Sequence, residues 1–133
     1  MSHHEEMQKT ILQYLSSFGI RYHSAGRRYL WTGLEVALEH PEYLDEMMER
    51  FYPVVAERHD RSVGAVESAM RRAIVDAYNS GVAKDSFARY FKRSAKEIPS
   101  VSEFISVITL HIKYDFAIQA DAQKAVSCLQ KQR

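Results

Sequence analysis

Cysteine occurs once, at Cys128, which excludes an internal disulfide and any multi-cysteine zinc site. A lone cysteine agrees with a reducing compartment and reads as a small apolar residue on a helix. Glycine is scarce, five residues with none clustered, so a phosphate-cradling glycine loop is excluded. His-x-x-x-His and Cys-x-x-Cys spacings are missing, and the terminal pair His3 and His4 is weak ground for a metal site. Long hydrophobic runs are lacking too: nothing approaches the roughly 18 residues of a membrane span, and no basic-then-apolar N-terminus points to export. These absences describe a cytoplasmic protein with no metal, no cofactor and no membrane partner.

Charge of one sign is also in short supply. The net charge is +1, which argues against a chain coated in positive charge, but its distribution is uneven. Glu35, Glu39, Glu42, Asp45, Glu46 and Glu49 follow one another with no Lys or Arg between them, whereas Lys84, Arg89, Lys92, Arg93 and Lys96 face one acid, Asp85. Segregation of this kind gives a nearly neutral protein one positive face, as attraction to phosphates requires. Some carboxylates share a helical face, Glu35 with Glu39 and Glu42 with Asp45 and Glu46. Without metal ligands or histidines beside them they read as a solvated acidic face, so no catalytic residue is assigned.

With 46% hydrophobic and 26% charged residues over 133 positions, the chain is an ordinary globule of one domain by length. Residues 1–9 are polar and expected to be flexible. Ile11, Leu12, Leu15 and Phe18 space a short amphipathic helix over Thr10–Phe18 that ends at Gly19. A loop follows, and then a helix from Arg27 to Glu39 with Leu30, Trp31, Leu34, Ala37 and Leu38 inward. After Pro41, Tyr43–Phe51 is predicted helical with Tyr43, Leu44, Met47, Met48 and Phe51 buried. Asp85–Phe91 is a short helix, Lys92–Pro99 a basic irregular connection, and Ser100 or Ser102 caps a long last helix. No strand-like alternation and no fixed repeat appear. The fold class is all-α, about six helices, without the strands of a winged helix.

Tyr52–Asn79 carries the chemistry. Pro53 suits the first turn of a short helix reaching His59, because its missing N–H would be unpaired there anyway. Asp60, Arg61 and Ser62 form a break: Asp tolerates the left-handed conformation of a tight turn, and the Ser62 hydroxyl caps a second helix starting at Val63. At about 100° per residue, Val63, Val66, Met70, Ala73, Ile74 and Ala77 fall on one side of that helix. Gly64, Ser68, Arg71, Arg72 and Val75 gather opposite. Small residues near the N-terminus (Gly64, Ala65, Ser68) let a helix sink into the major groove, and arginines one turn on reach guanine edges or phosphates. A solvated arginine face would show the same pattern; the short helix, tight turn and longer helix together are what point to a helix-turn-helix. Arg21, His23, Arg27 and Arg28 cluster at a loop and helix start, a natural clamp for phosphates.

At GIRYHSAGRRYL (Gly19–Leu30), FYPVVAERHDRSVGAVESAMRRAIVDAYNSG (Phe51–Gly81) and SEFISVI (Ser102–Ile108) the sequence resembles the C-terminal DNA-binding effector domain of the master sporulation response regulator of Firmicutes. The resemblance covers roughly residues 10–115. It implies a six-helix fold that binds a promoter box in double-stranded DNA, commonly as two copies in tandem, and that activates or represses transcription. RNA polymerase or a full-length regulator would be further partners. Glu67, Arg71 and Arg72 fall where that family's recognition helix carries an acid, an arginine and a further basic residue, and His23 and Gly26 fall on its early loop. Ala65 and Ser68 stand where the family is basic, and Ala25 where it has Lys, which bears on whether the box is the same. No receiver domain precedes the resemblance, which implies constitutive behaviour or control by another partner.

The expected DNA contacts are therefore Arg61, Ser62, Ala65, Glu67, Ser68, Arg71 and Arg72 at the groove, with His23, Arg27, Arg28, Lys92 and Arg93 on phosphates. The competing reading is a protein-interaction module that pairs with and modulates a full-length regulator. Its surface would be the extension 116–133, where Ala122, Ala125, Val126 and Leu129 continue a helical stripe; the alternative for that stripe is a longer helix folding back on its own core.

Overall fold

The computed structural model describes residues 2–91 and 97–131. Six α-helices follow one another: α1 (His3–Ser17), α2 (Ala25–Glu39), α3 (Tyr52–His59), α4 (Val63–Ser80), α5 (Lys84–Tyr90) and α6 (Val101–Lys131). A 3₁₀ turn at Pro41–Asp45 and a π-helical turn at Met47–Phe51 join α2 to α3. No strand occurs among the described residues.

α2 is the hub, packed against α1, α3, α4 and α6. Tyr29, Leu30, Leu34, Val36 and Ala37 are buried along it, and Gly26 and Gly33 let neighbours come close. A Cβ on Gly26 would lie 2.4 Å from the Ala69 carbonyl oxygen and 2.6 Å from the Ala73 Cβ of α4. One on Gly33 would lie 2.8 Å from the Phe51 ring. The core is completed by Ile11, Leu15 and Phe18 of α1, Met70 and Ile74 of α4, and Phe104, Ile105, Ile108 and Ile112 of α6. Phe18 sets its ring edge-to-face against Phe87 at 5.0 Å and Phe104 at 5.2 Å, joining α5 and α6 to α1. Each such side chain contributes about 1.5–3 kcal/mol by leaving water.

Two local expectations change, and of the two readings of the last helix one falls away. The first helix does not wait for Thr10: the Ser2 hydroxyl accepts from the Glu5 N–H at 3.2 Å, and Glu5 and Glu6 complement the helix dipole in the first turn. Gln8 then fixes the segment, donating to Glu35 Oε2 at 2.7 Å and accepting from the Trp31 indole at 2.6 Å. Tyr43–Phe51 is not one α-helix, because the backbone leaves helical dihedrals at Glu46 (φ −134°, ψ 60°). With the 3.6-residue period interrupted there, Met48 points to solvent, 60% exposed. The last helix does not fold back; it continues as one rod to Lys131, capped at its start by Ser100, whose hydroxyl accepts from the Glu103 N–H at 3.2 Å.

Candidate nucleic-acid interface

α3 and α4 form the helix-turn-helix. Pro53 lies in the first turn of α3, and the helix closes where Asp60 takes the left-handed conformation (φ 51°, ψ 50°). The Arg61 N–H reaches back to the Ala56 carbonyl at 3.0 Å, satisfying a carbonyl that the helix end would otherwise leave open. One residue later the Ser62 hydroxyl accepts from the Ala65 N–H at 3.1 Å and starts α4. Arg61 and Ser62 are thereby left exposed at the tip of the turn.

α4 has one packed face and one open face. Val66, Met70, Ile74 and Ala77 are buried in the core. Gly64, Ala65, Arg71 and Arg72 are exposed on the other side, with Ser68 half-buried among them. Glu67 hydrogen-bonds the Arg71 guanidinium one turn on, while the Arg71 side chain keeps 58% of its surface open. The carboxylate lies close to the buried ring of Tyr52, whose phenol is pushed up to about 12 by burial first and then by Glu67, with Arg71 opposing. A guanidinium held at one edge by a carboxylate has fewer orientations to lose when its free edge meets a base.

Around this helix lies a smaller set of cations. Gly26 seats the start of α2 on Ala69 and Ala73, which brings the preceding loop alongside α4. His23 and Arg28 are exposed there. Arg27 is not available as a phosphate ligand. It is only 5% exposed, its Nη1 donates to the Ile20 carbonyl at 2.8 Å and its Nη2 to the Ser16 hydroxyl at 3.2 Å, and Tyr22 stacks on it at 4.8 Å. Its role is to tie the loop to α1. Gly26 likewise belongs to the helix crossing and not to a loop. Lys92 and Arg93 lie outside the described residues.

One cation was not anticipated. Arg58, in the last turn of α3, is exposed beside the turn and reaches Glu39 at 3.9 Å. Together with Arg28 it holds the His59 imidazole below its ordinary value, after burial as the larger cause. His59 meets the Thr32 hydroxyl at 2.7 Å and the edge of Tyr29. So Arg28 and Arg58 meet at the end of α3, and Arg61 follows in the turn. The signal was present in the sequence, a basic residue just before the Asp60 break, but an arginine there is equally at home as a helix-end cation.

The family model for the sporulation initiation factor Spo0A C terminal matches residues 11–112. The chain belongs to this family. The match runs from α1 into α6 and takes in the whole helix-turn-helix. Spo0A C-terminal domains bind DNA in the control of sporulation transcription. Among the described residues no helix is long and apolar enough to cross a membrane. No group of three or more His, Cys, Asp or Glu that could hold a metal occurs among them either.

Proposed function

We propose that this protein is a sequence-specific DNA-binding regulator of transcription, acting on the chromosome in the cytoplasm, with α4 as its recognition helix in the major groove. Arg71 and Arg72 read bases, with Ala65 and Ser68 giving the helix room to approach and Glu67 aiming Arg71. Arg61 and Ser62 join them at the groove from the exposed turn, and Arg28, Arg58 and His23 hold the phosphates beside it. One observation carries this reading: α4 buries one flank in the core while its arginine-bearing flank is covered by no other described part of the chain. A helix wedged in this way presents its outer side chains at fixed angles, which groove recognition requires.

Selection of bound duplexes from a randomised pool tests the proposal. A single enriched box at physiological salt is the expected result; recovery of an unselected pool would overturn it and leave the interaction-module reading.

A further inference from the structure

We propose that the distal part of α6 pairs antiparallel with the same segment of a second copy of this chain, without DNA. Ile112 is the last buried residue of α6, and every residue from Ala117 to Gln130 is exposed. The family match also ends at residue 112, so this segment adds something to the matched fold. An isolated helix of that length is marginal in water, and this one displays Tyr114, Ile118, Val126 and Leu129, each at least half exposed. A partner that covers Tyr114, Ile118 and Leu129 accounts for the helix and most of its apolar content.

The stripe says which partner. Tyr114, Ile118, Ala122, Ala125 and Leu129 share one side of the rod, turned about 80° from the side that Phe104, Ile108 and Ile112 pack into the core. Tyr114 and Ile118 border clefts against α1 and α5 but stay at least half exposed, and from Ala122 onward the stripe is exposed throughout. Its order is bulky, medium, small, small, bulky, and it reads nearly the same in reverse. Two copies running antiparallel and crossing at Ala122 therefore put Tyr114 of one beside Leu129 of the other, with alanines where the backbones approach.

Charge agrees. The segment carries Lys113, Lys124 and Lys131 against Asp115 and Asp121, nearly balanced and unlike the basic face that a nucleic acid or anionic membrane would select. Asp121 and Lys124 lie on the same flank of the stripe. In an antiparallel pair like flanks meet, so each Asp121 faces the other copy's Lys124, and the two-fold axis makes that pair twice.

Sedimentation equilibrium of the full chain without DNA, at neutral pH and micromolar concentrations, reads the outcome. A dimer is expected, and Ile118→Glu and Leu129→Glu are each expected to shift it to monomer. In those variants the amides from about residue 117 onward should lose hydrogen-exchange protection while the α2 and α4 amides keep theirs, which separates lost pairing from a lost fold. Asp121→Lys and Lys124→Asp should each weaken the dimer, and the double variant should restore it. Orientation is read by oxidation. In the crossing described, the two Cys128 thiols stand about 18 Å apart along the axis and do not join, whereas Ala122→Cys in a Cys128→Ser background cross-links readily. A monomeric wild type, an assembly larger than two copies, a dimer indifferent to Leu129→Glu, or ready Cys128 cross-linking would overturn the proposal.

Discussion

Arg27 and Arg28 are neighbours of identical chemistry, and the structure gives them opposite duties. A step of about 100° round α2 sends Arg27 to the Ile20 carbonyl and the Ser16 hydroxyl and leaves Arg28 in solvent. Arg27→Ala removes one buried and one part-buried hydrogen bond and is expected to cost about 1–3 kcal/mol in a urea titration, whereas Arg28→Ala should leave the urea midpoint alone. In binding the order reverses: Arg28→Ala should weaken all duplexes alike and lower the salt slope by about 1. No sequence pattern distinguishes the pair, because the acceptors that claim Arg27 come from α1 and its loop. His59 makes a second prediction at this scale. Its folded value is depressed below the ordinary 6.5, so the unfolded chain binds the proton more readily. The stability that neutral His59 contributes is complete above about pH 6.5 and is lost as the pH falls through the lower folded value. Urea midpoints measured down that range should fall more for the wild type than for His59→Gln; parallel curves would contradict it.

The helix-turn-helix was legible because each of its boundaries has a local cause. Pro53 opens α3, Asp60 takes the left-handed turn, Ser62 caps α4, and Gly81 (φ 75°) closes it. Ser62→Ala is accordingly expected to cost about 1 kcal/mol, read in the same titration. The stretch between α2 and α3 was not legible. Tyr43, Leu44, Met47 and Phe51 match a helical period, but the backbone breaks at Glu46 and the period belongs to two separate turns. Gly26 was also misplaced, because its reason is a tertiary contact: the α4 backbone passes where its side chain would stand. Gly26→Ala should push α2 and α4 apart and cost about 3 kcal/mol, with DNA binding lost in proportion to unfolding. A variant as stable as the wild type would contradict the crossing.

Taken whole, the molecule carries a net charge of +1, so no broad field of one sign draws it to DNA. The acidic stretch foreseen from Glu35 to Glu49 is partly offset by arginines, Arg50 on Glu46 and Arg58 near Glu39; Arg61, Arg71 and Arg72 are exposed at the turn and on α4, while Lys9, Lys84, Arg89, Lys113 and Lys124 are exposed on other helices. Binding to random duplexes should therefore be weak and fall steeply with salt, leaving discrimination to the few side chains that reach bases. The most direct measurement repeats the selection from a randomised pool with Arg71→Ala and Arg28→Ala beside the wild type. Arg71→Ala is expected to lose preference at particular base positions, a discrimination of about 1–3 kcal/mol, while Arg28→Ala recovers the wild-type box at lower yield. An unchanged box from Arg71→Ala, with the loss shared equally by selected and random duplexes, would contradict α4 as the reading helix.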